Sequence, residues 1–126
     1  MVWEVERTKS FDKWWKKEKV DDQNFNFHKS ALQDFETVNV PHNVSTMIFR
    51  NSTYECWITR LPDKVKKQGK RSAFRVVLVL DIEEQKLLLQ GIFRRDNLNF
   101  KRSSGKFQKQ YNELVSELAV SFISNR

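Results

Sequence analysis

One cysteine, Cys56, excludes an intramolecular disulfide and any zinc site built on clustered cysteines. Only two prolines and three glycines in 126 residues argue against a linker-rich chain. No apolar run approaches the roughly 20 residues of a membrane span. The opening MVWEVERTKSFDKWW holds no apolar signal-peptide core, so a cytoplasmic protein without a membrane partner is expected. No cluster of metal-ligand residues is readable, and the serines form no nucleophilic triad with His28 or His42. Acidic residues are also short, 16 against 23 Lys and Arg, for a net charge of +7.

Bulk, by contrast, is plentiful. Ten Phe and four Trp, with 39% apolar residues overall, suffice for one globular domain spanning residues 1–126 with a substantial core. Cys56, beside Trp57, reads as a small buried apolar residue.

The positive charge is clustered. Residues 60–75 hold seven Lys or Arg against Asp63 alone, and residues 94–109 hold six against Asp96 alone. Residues 7–19 hold six against two acids, and the rest of the chain is acidic on balance. Such clustering favours an anionic partner, nucleic acid first; a basic surface without specific function is the plainer alternative.

Hydrophobic periodicity sets the expected elements. Val2 to Val5 reads as a short strand, and Thr8 or Ser10 can cap a helix whose Phe11, Trp14 and Trp15 share one face. A second helix starts near Asp21 or Asp22, aligns Phe25, His28, Leu32 and Phe35, and stops around 38–41, since the residue before a proline disfavours helix. Met47 to Phe49 reads as a short strand or a buried loop anchor. Tyr54 to Leu61 reads as a strand with Tyr54, Cys56 and Ile58 on one side and Trp57 and Thr59 on the other. Ala73 to Leu80 is apolar throughout except Arg75, as a central strand covered on both faces would be. A turn over 81–85 returns the chain as Lys86 to Phe93. A last helix over about 104–123 carries the stripe Phe107, Tyr111, Leu114, Leu118 and Phe122, which either packs on the sheet or forms a homodimer face. The expected class is α+β: a small antiparallel sheet, two N-terminal helices and a C-terminal helix.

In this order stand an N-terminal strand leading into Ser10-Phe11 and Trp14, a strand ending W-I-T-R-L-P-D, the segment G-K-R-S-A-F-R-V-V-L-V-L, and L-L-L-Q-G-I-F-R-R-D-N-L. Arg60, Leu61, Pro62, Gly69, Lys70, Arg71, Ser72, Ala73, Arg75 and Val76 fill an Arg-Leu-Pro, basic loop, Gly-Lys-Arg, small residue, Arg-Val pattern. On these residues the chain resembles the RelE/ParE superfamily of toxins from bacterial type II toxin–antitoxin systems, in particular the RelE and HigB branches. The resemblance is strongest from Trp57 to Asn97. It departs in a longer connection after the second helix, in a longer C-terminal tail, and after the last strand. There many relatives carry a Tyr or His; here Arg94-Arg95-Asp96-Asn97-Leu98 follows, and the nearest tyrosine is Tyr111.

The resemblance implies a ribosome-dependent mRNA endoribonuclease that inhibits translation, needs no metal or other cofactor, and is held by a cognate antitoxin protein. In that chemistry a ribose 2′-OH attacks the adjacent phosphate, which calls for a base, stabilisation of the phosphorane and an acid. Arg75 is the candidate grip on the scissile phosphate, with a structural ion pair to Asp81 or Glu55 as its alternative. Strand alternation sends Arg94 and Arg95 to opposite faces, so only one can join Arg75; Arg94 is taken as the catalytic one and Arg95 as RNA-binding. Lys70, its pKa lowered by neighbouring cations, is the candidate base, or else a phosphate contact. Arg60, Lys64, Lys66, Lys67 and Arg71 complete an RNA-binding surface, or a solvated loop. His28 reads as packed, and His42 reaches the site only by folding back. Trp57 and Phe93 read as core before base-stacking residues. Two rivals stay open: a ParE-like DNA gyrase inhibitor, favoured by the missing Tyr or His after Phe93, and a non-catalytic RNA-binding protein on the same scaffold.

Overall fold

The computed structural model describes residues 2–35, 45–63, 65, 73–94 and 106–124. Eight elements follow one another: β1 (Glu4–Arg7), α1 (Lys9–Lys17), α2 (Gln23–Gln33), β2 (Ser45–Arg50), β3 (Tyr54–Leu61), β4 (Phe74–Asp81), β5 (Lys86–Phe93) and α3 (Lys106–Ser124). The five strands form one sheet in the order β1-β5-β4-β3-β2. The fold is α+β, as expected. The sheet is antiparallel except that β1 runs parallel to β5, with Glu4 opposite Lys86 and Arg7 opposite Leu89. Residues 45–50 form a full edge strand, so four consecutive strands meander rather than three.

The β-branched and leucine run of β4 occupies the middle of the sheet and is buried on both faces. Alternation then divides the core. Phe74, Val76, Leu78 and Leu80 face α1 and α2, packing with Phe11, Trp15, Leu32 and Trp57. Val77 and Val79 face the other way, onto Val115, Leu118 and Ala119 of α3, together with Cys56, Leu88 and Phe93. The C-terminal helix therefore packs on the sheet. Its buried line runs through Val115 and Ala119 as well as Leu118, with Tyr111 and Leu114 at the margin. The side chains of Phe107 and Phe122 lie outside the described residues.

Thr8 joins strand to helix. Its hydroxyl donates to the Leu89 carbonyl at 2.7 Å and accepts from the Phe11 N–H at 3.2 Å, so one side chain ends β1 on β5 and caps α1. Helix α2 begins after Asp22 and ends at Gln33, ahead of the expected stop, with Asn24, His28 and Leu32 as its buried line. Among the described residues no helix is long and apolar enough to cross a membrane.

Strand β5 contains one extra residue. Val77 lies opposite Gly91, but Leu78 lies opposite Leu89, so Gln90 is a bulge. Its side chain donates to the Leu118 carbonyl of α3 at 3.1 Å. Gly91 follows directly beneath the helix, where an added Cβ would stand 2.8 Å from Leu118 Cδ1. The small residue lets α3 seat on the sheet. Gly91→Val is expected to destabilise the fold by about 1–3 kcal/mol in urea denaturation, with Gly91→Ala costing less because only a leucine tip must move.

Candidate functional site

Three strand termini meet at one end of the sheet: the end of β3, the start of β4 and the end of β5. Register places Arg60 opposite Arg75, and Arg75 opposite Phe93. All three lie on the α3 face, the face of Cys56, Ile58 and Val77. Across this row exposure falls steadily: Arg60 is exposed, Arg75 half-buried and Phe93 fully buried. Like charges directly opposite on neighbouring strands repel, so this pair is set to gain from an anion between its members. One Arg75 contact is local, Nη1 to the Ala73 carbonyl at 3.5 Å. The alternative ion pairs do not form. Asp81 stands at the opposite end of β4, roughly 20 Å away at the usual strand rise. Glu55, also at that end, accepts from the Trp57 indole at 3.1 Å and pairs with Arg50 at 3.8 Å.

Two helices close on Phe93 beside this row. Tyr111 of α3 meets the Phe93 ring edge-on, with centroids 6.0 Å apart. Trp14 of α1 meets it at 5.6 Å, and the Lys17 ammonium lies 4.7 Å above the Trp14 ring. The tyrosine that the sequence places far from the last strand is thus returned to the end of that strand by packing.

Arg94 does not join Arg75, which corrects its choice over Arg95. The Gln90 bulge reverses the parity of β5, so Phe93 takes the α3 face and Arg94 turns to the α1 and α2 face. There it forms an ion pair with Asp63, the two side chains being 14% and 2% exposed. Its guanidinium also lies 4.3 Å over the Phe74 ring. Asp63 further accepts from the Val65 N–H at 3.1 Å and the Asn24 amide at 3.3 Å. The pair ties the exits of β3 and β5 to each other and to α2, so Arg94 is a structural cation. Lys64, Lys66, Lys67, Lys70, Arg71, Arg95 and His42 lie outside the described residues. The basic stretches 64–72, with five Lys or Arg and no acid, and 95–105, with three against Asp96, nevertheless both follow strands that end at the end of the sheet carrying Arg60 and Arg75.

Among the described residues, His28 and Cys56 are both buried within the fold. His28 donates from Nε2 to the Pro62 carbonyl at 3.0 Å and lies edge-on to Phe74 and Trp15. Burial pushes its pKa below the usual 6.5, against opposing contributions from the Pro62 carbonyl and Asp63. Burial likewise pushes the Cys56 thiol up to about 11, so it is no nucleophile near neutral pH. Trp57 and Phe93 belong to the core. Among the described residues no three His, Cys, Asp or Glu side chains come together to hold a metal ion. What the arrangement can do is bind a phosphate between two guanidinium groups beside an aromatic wall.

No protein-family model matches the chain, and no curated protein matches it. The roles of these residues therefore rest on geometry and chemistry.

Two outcomes are expected from denaturation. Asp63→Ala strands the buried Arg94 charge and should cost about 3–5 kcal/mol, whereas Arg60→Ala should stay within about 0.5 kcal/mol. The lowered pKa of His28 means the unfolded chain takes up a proton first on acidification. Stability is full above the unfolded value and falls as pH drops below 6.5 toward the folded value. His28→Asn should flatten stability against pH in that window.

Proposed function

We propose that the protein is a RelE-like toxin that cleaves mRNA on the ribosome. The observation that carries this reading is the Arg60–Arg75 pair at the end of the sheet from which both basic stretches leave. The order of elements, with two helices on one face and one on the other, agrees with the resemblance seen in the sequence.

In this reading Arg75 holds the scissile phosphate from a strand whose packing fixes its direction, and Arg60 shares the developing charge of the phosphorane. Lys70, or another lysine of the stretch 64–72, takes the 2′-OH proton as the neutral amine. The Tyr111 phenol, whose ring packs on Phe93, serves as acid for the leaving 5′-oxygen. The products are a 2′,3′-cyclic phosphate and a 5′-OH. Lys64, Lys66, Lys67, Arg71 and Arg95 supply sequence-independent contacts to mRNA and ribosome. An antitoxin with an acidic segment covers the same end, and the site of action is cytoplasmic.

The test is induced expression in a bacterial host with mapping of mRNA 5′ ends. The wild type should produce ribosome-dependent cuts within translated codons, and Arg75→Ala should reduce them about 10²–10³-fold while leaving the protein folded. Arrest of growth with intact mRNA would move the assignment to a gyrase inhibitor. Unimpaired growth would leave an RNA-binding protein without catalysis.

A further inference from the structure

Trp3, Trp15 and Trp57 are each 6% exposed or less, and each donates its indole N–H within the fold, to the Phe35 carbonyl, Asp22 and Glu55. Trp14 is different. It is half-buried, at the junction of the two core clusters. One side of it rests on Phe93 at 5.6 Å, tilted by 52°. Among the described residues, the ammonium of Lys17, an exposed side chain of α1, lies 4.7 Å from its ring centroid. Phe93 in turn lies opposite Arg75 in the register. The half-buried Trp14 thus stands one aromatic residue away from the paired guanidinium groups, with the exposed Lys17 ammonium over its ring.

We infer that Trp14 is a stacking platform for an unpaired nucleobase adjoining the phosphate held by Arg75 and Arg60; this rests on the RNA-binding part of the reading above. Magnitudes favour exchange of the lysine for a base. An exposed cation–π contact shifts an equilibrium by about 2- to 5-fold, whereas stacking one base on an aromatic side chain shifts it by about 5- to 150-fold. The displaced Lys17 ammonium is not wasted, because it remains within reach of the phosphate of the stacked nucleotide. Lys13, exposed one helical turn before Lys17, extends the same cationic border. Stacking does not distinguish bases strongly, so the platform adds affinity and orientation without fixing a sequence.

The experiment uses hexauridylate as the probe at low salt. Fluorescein-labelled hexauridylate reports binding by anisotropy, and unlabelled hexauridylate reports stacking by quenching of intrinsic tryptophan fluorescence. Wild-type protein should show both, over one concentration range. Tripolyphosphate should compete for binding without quenching. Trp14→Leu should bind about 5- to 100-fold more weakly with the quench lost. If that variant does not fold, Trp14→Phe keeps an aromatic face, and should bind while losing the quench. Binding by anisotropy with no quench in the wild type, an equal quench in Trp14→Phe, or an equal quench with tripolyphosphate would overturn the platform and leave RNA binding intact. Absence of binding by anisotropy would overturn both.

Discussion

Both faces of β4 have to be covered, and that requirement organises the molecule. A strand whose only charged side chains, Arg75 and Asp81, stand at its two ends cannot lie at an edge or present a wet face. It takes β3 and β5 as neighbours, a helical pair on one side and α3 on the other. Arg75 stands second in the strand and is half-buried, while the apolar residues that follow it are buried. The same packing that makes β4 rigid therefore fixes the direction of the one cation it carries.

Element types and most strand limits were legible in the residues. The runs Tyr54–Leu61 and Lys86–Phe93 coincide with the strands, and the alternation of Cys56 and Ile58 against Trp57 and Thr59 divides between the layers as read. What escaped was non-local. Nothing in Glu4–Arg7 announces that it will pair parallel with residues 86–89, because the choice depends on which edge of the sheet is left open. The end of α2 at Gln33 also escaped, since the proline rule sets a latest stop and not an earliest one.

The site was legible in part, and the misreading has one physical origin. Alternation alone left Arg94 and Arg95 as rivals for the place beside Arg75; the residue inserted at Gln90 turns Arg94 to the other side of the sheet. The pair Gln90-Gly91, a polar residue and a glycine inside an apolar run, was the available signal of a bulge. Asp63 had a signal too, as the one acid in a cationic stretch, placed directly after Pro62. Tyr111 and Trp14 had none: each stands in its own helix stripe, and only tertiary packing brings them both to Phe93.

The parallel pairing of β1 with β5 also bears on the timing of assembly. The first strand emerges during synthesis with no partner, and the carbonyl that receives the Thr8 hydroxyl lies 81 residues later in the chain. Contacts of such long sequence separation form late. Helix α1 cannot take its place along β5, nor Trp14 meet Phe93, until most of the polypeptide has left the ribosome. A chain that closes its sheet with its oldest strand completes its fold only late in its own translation.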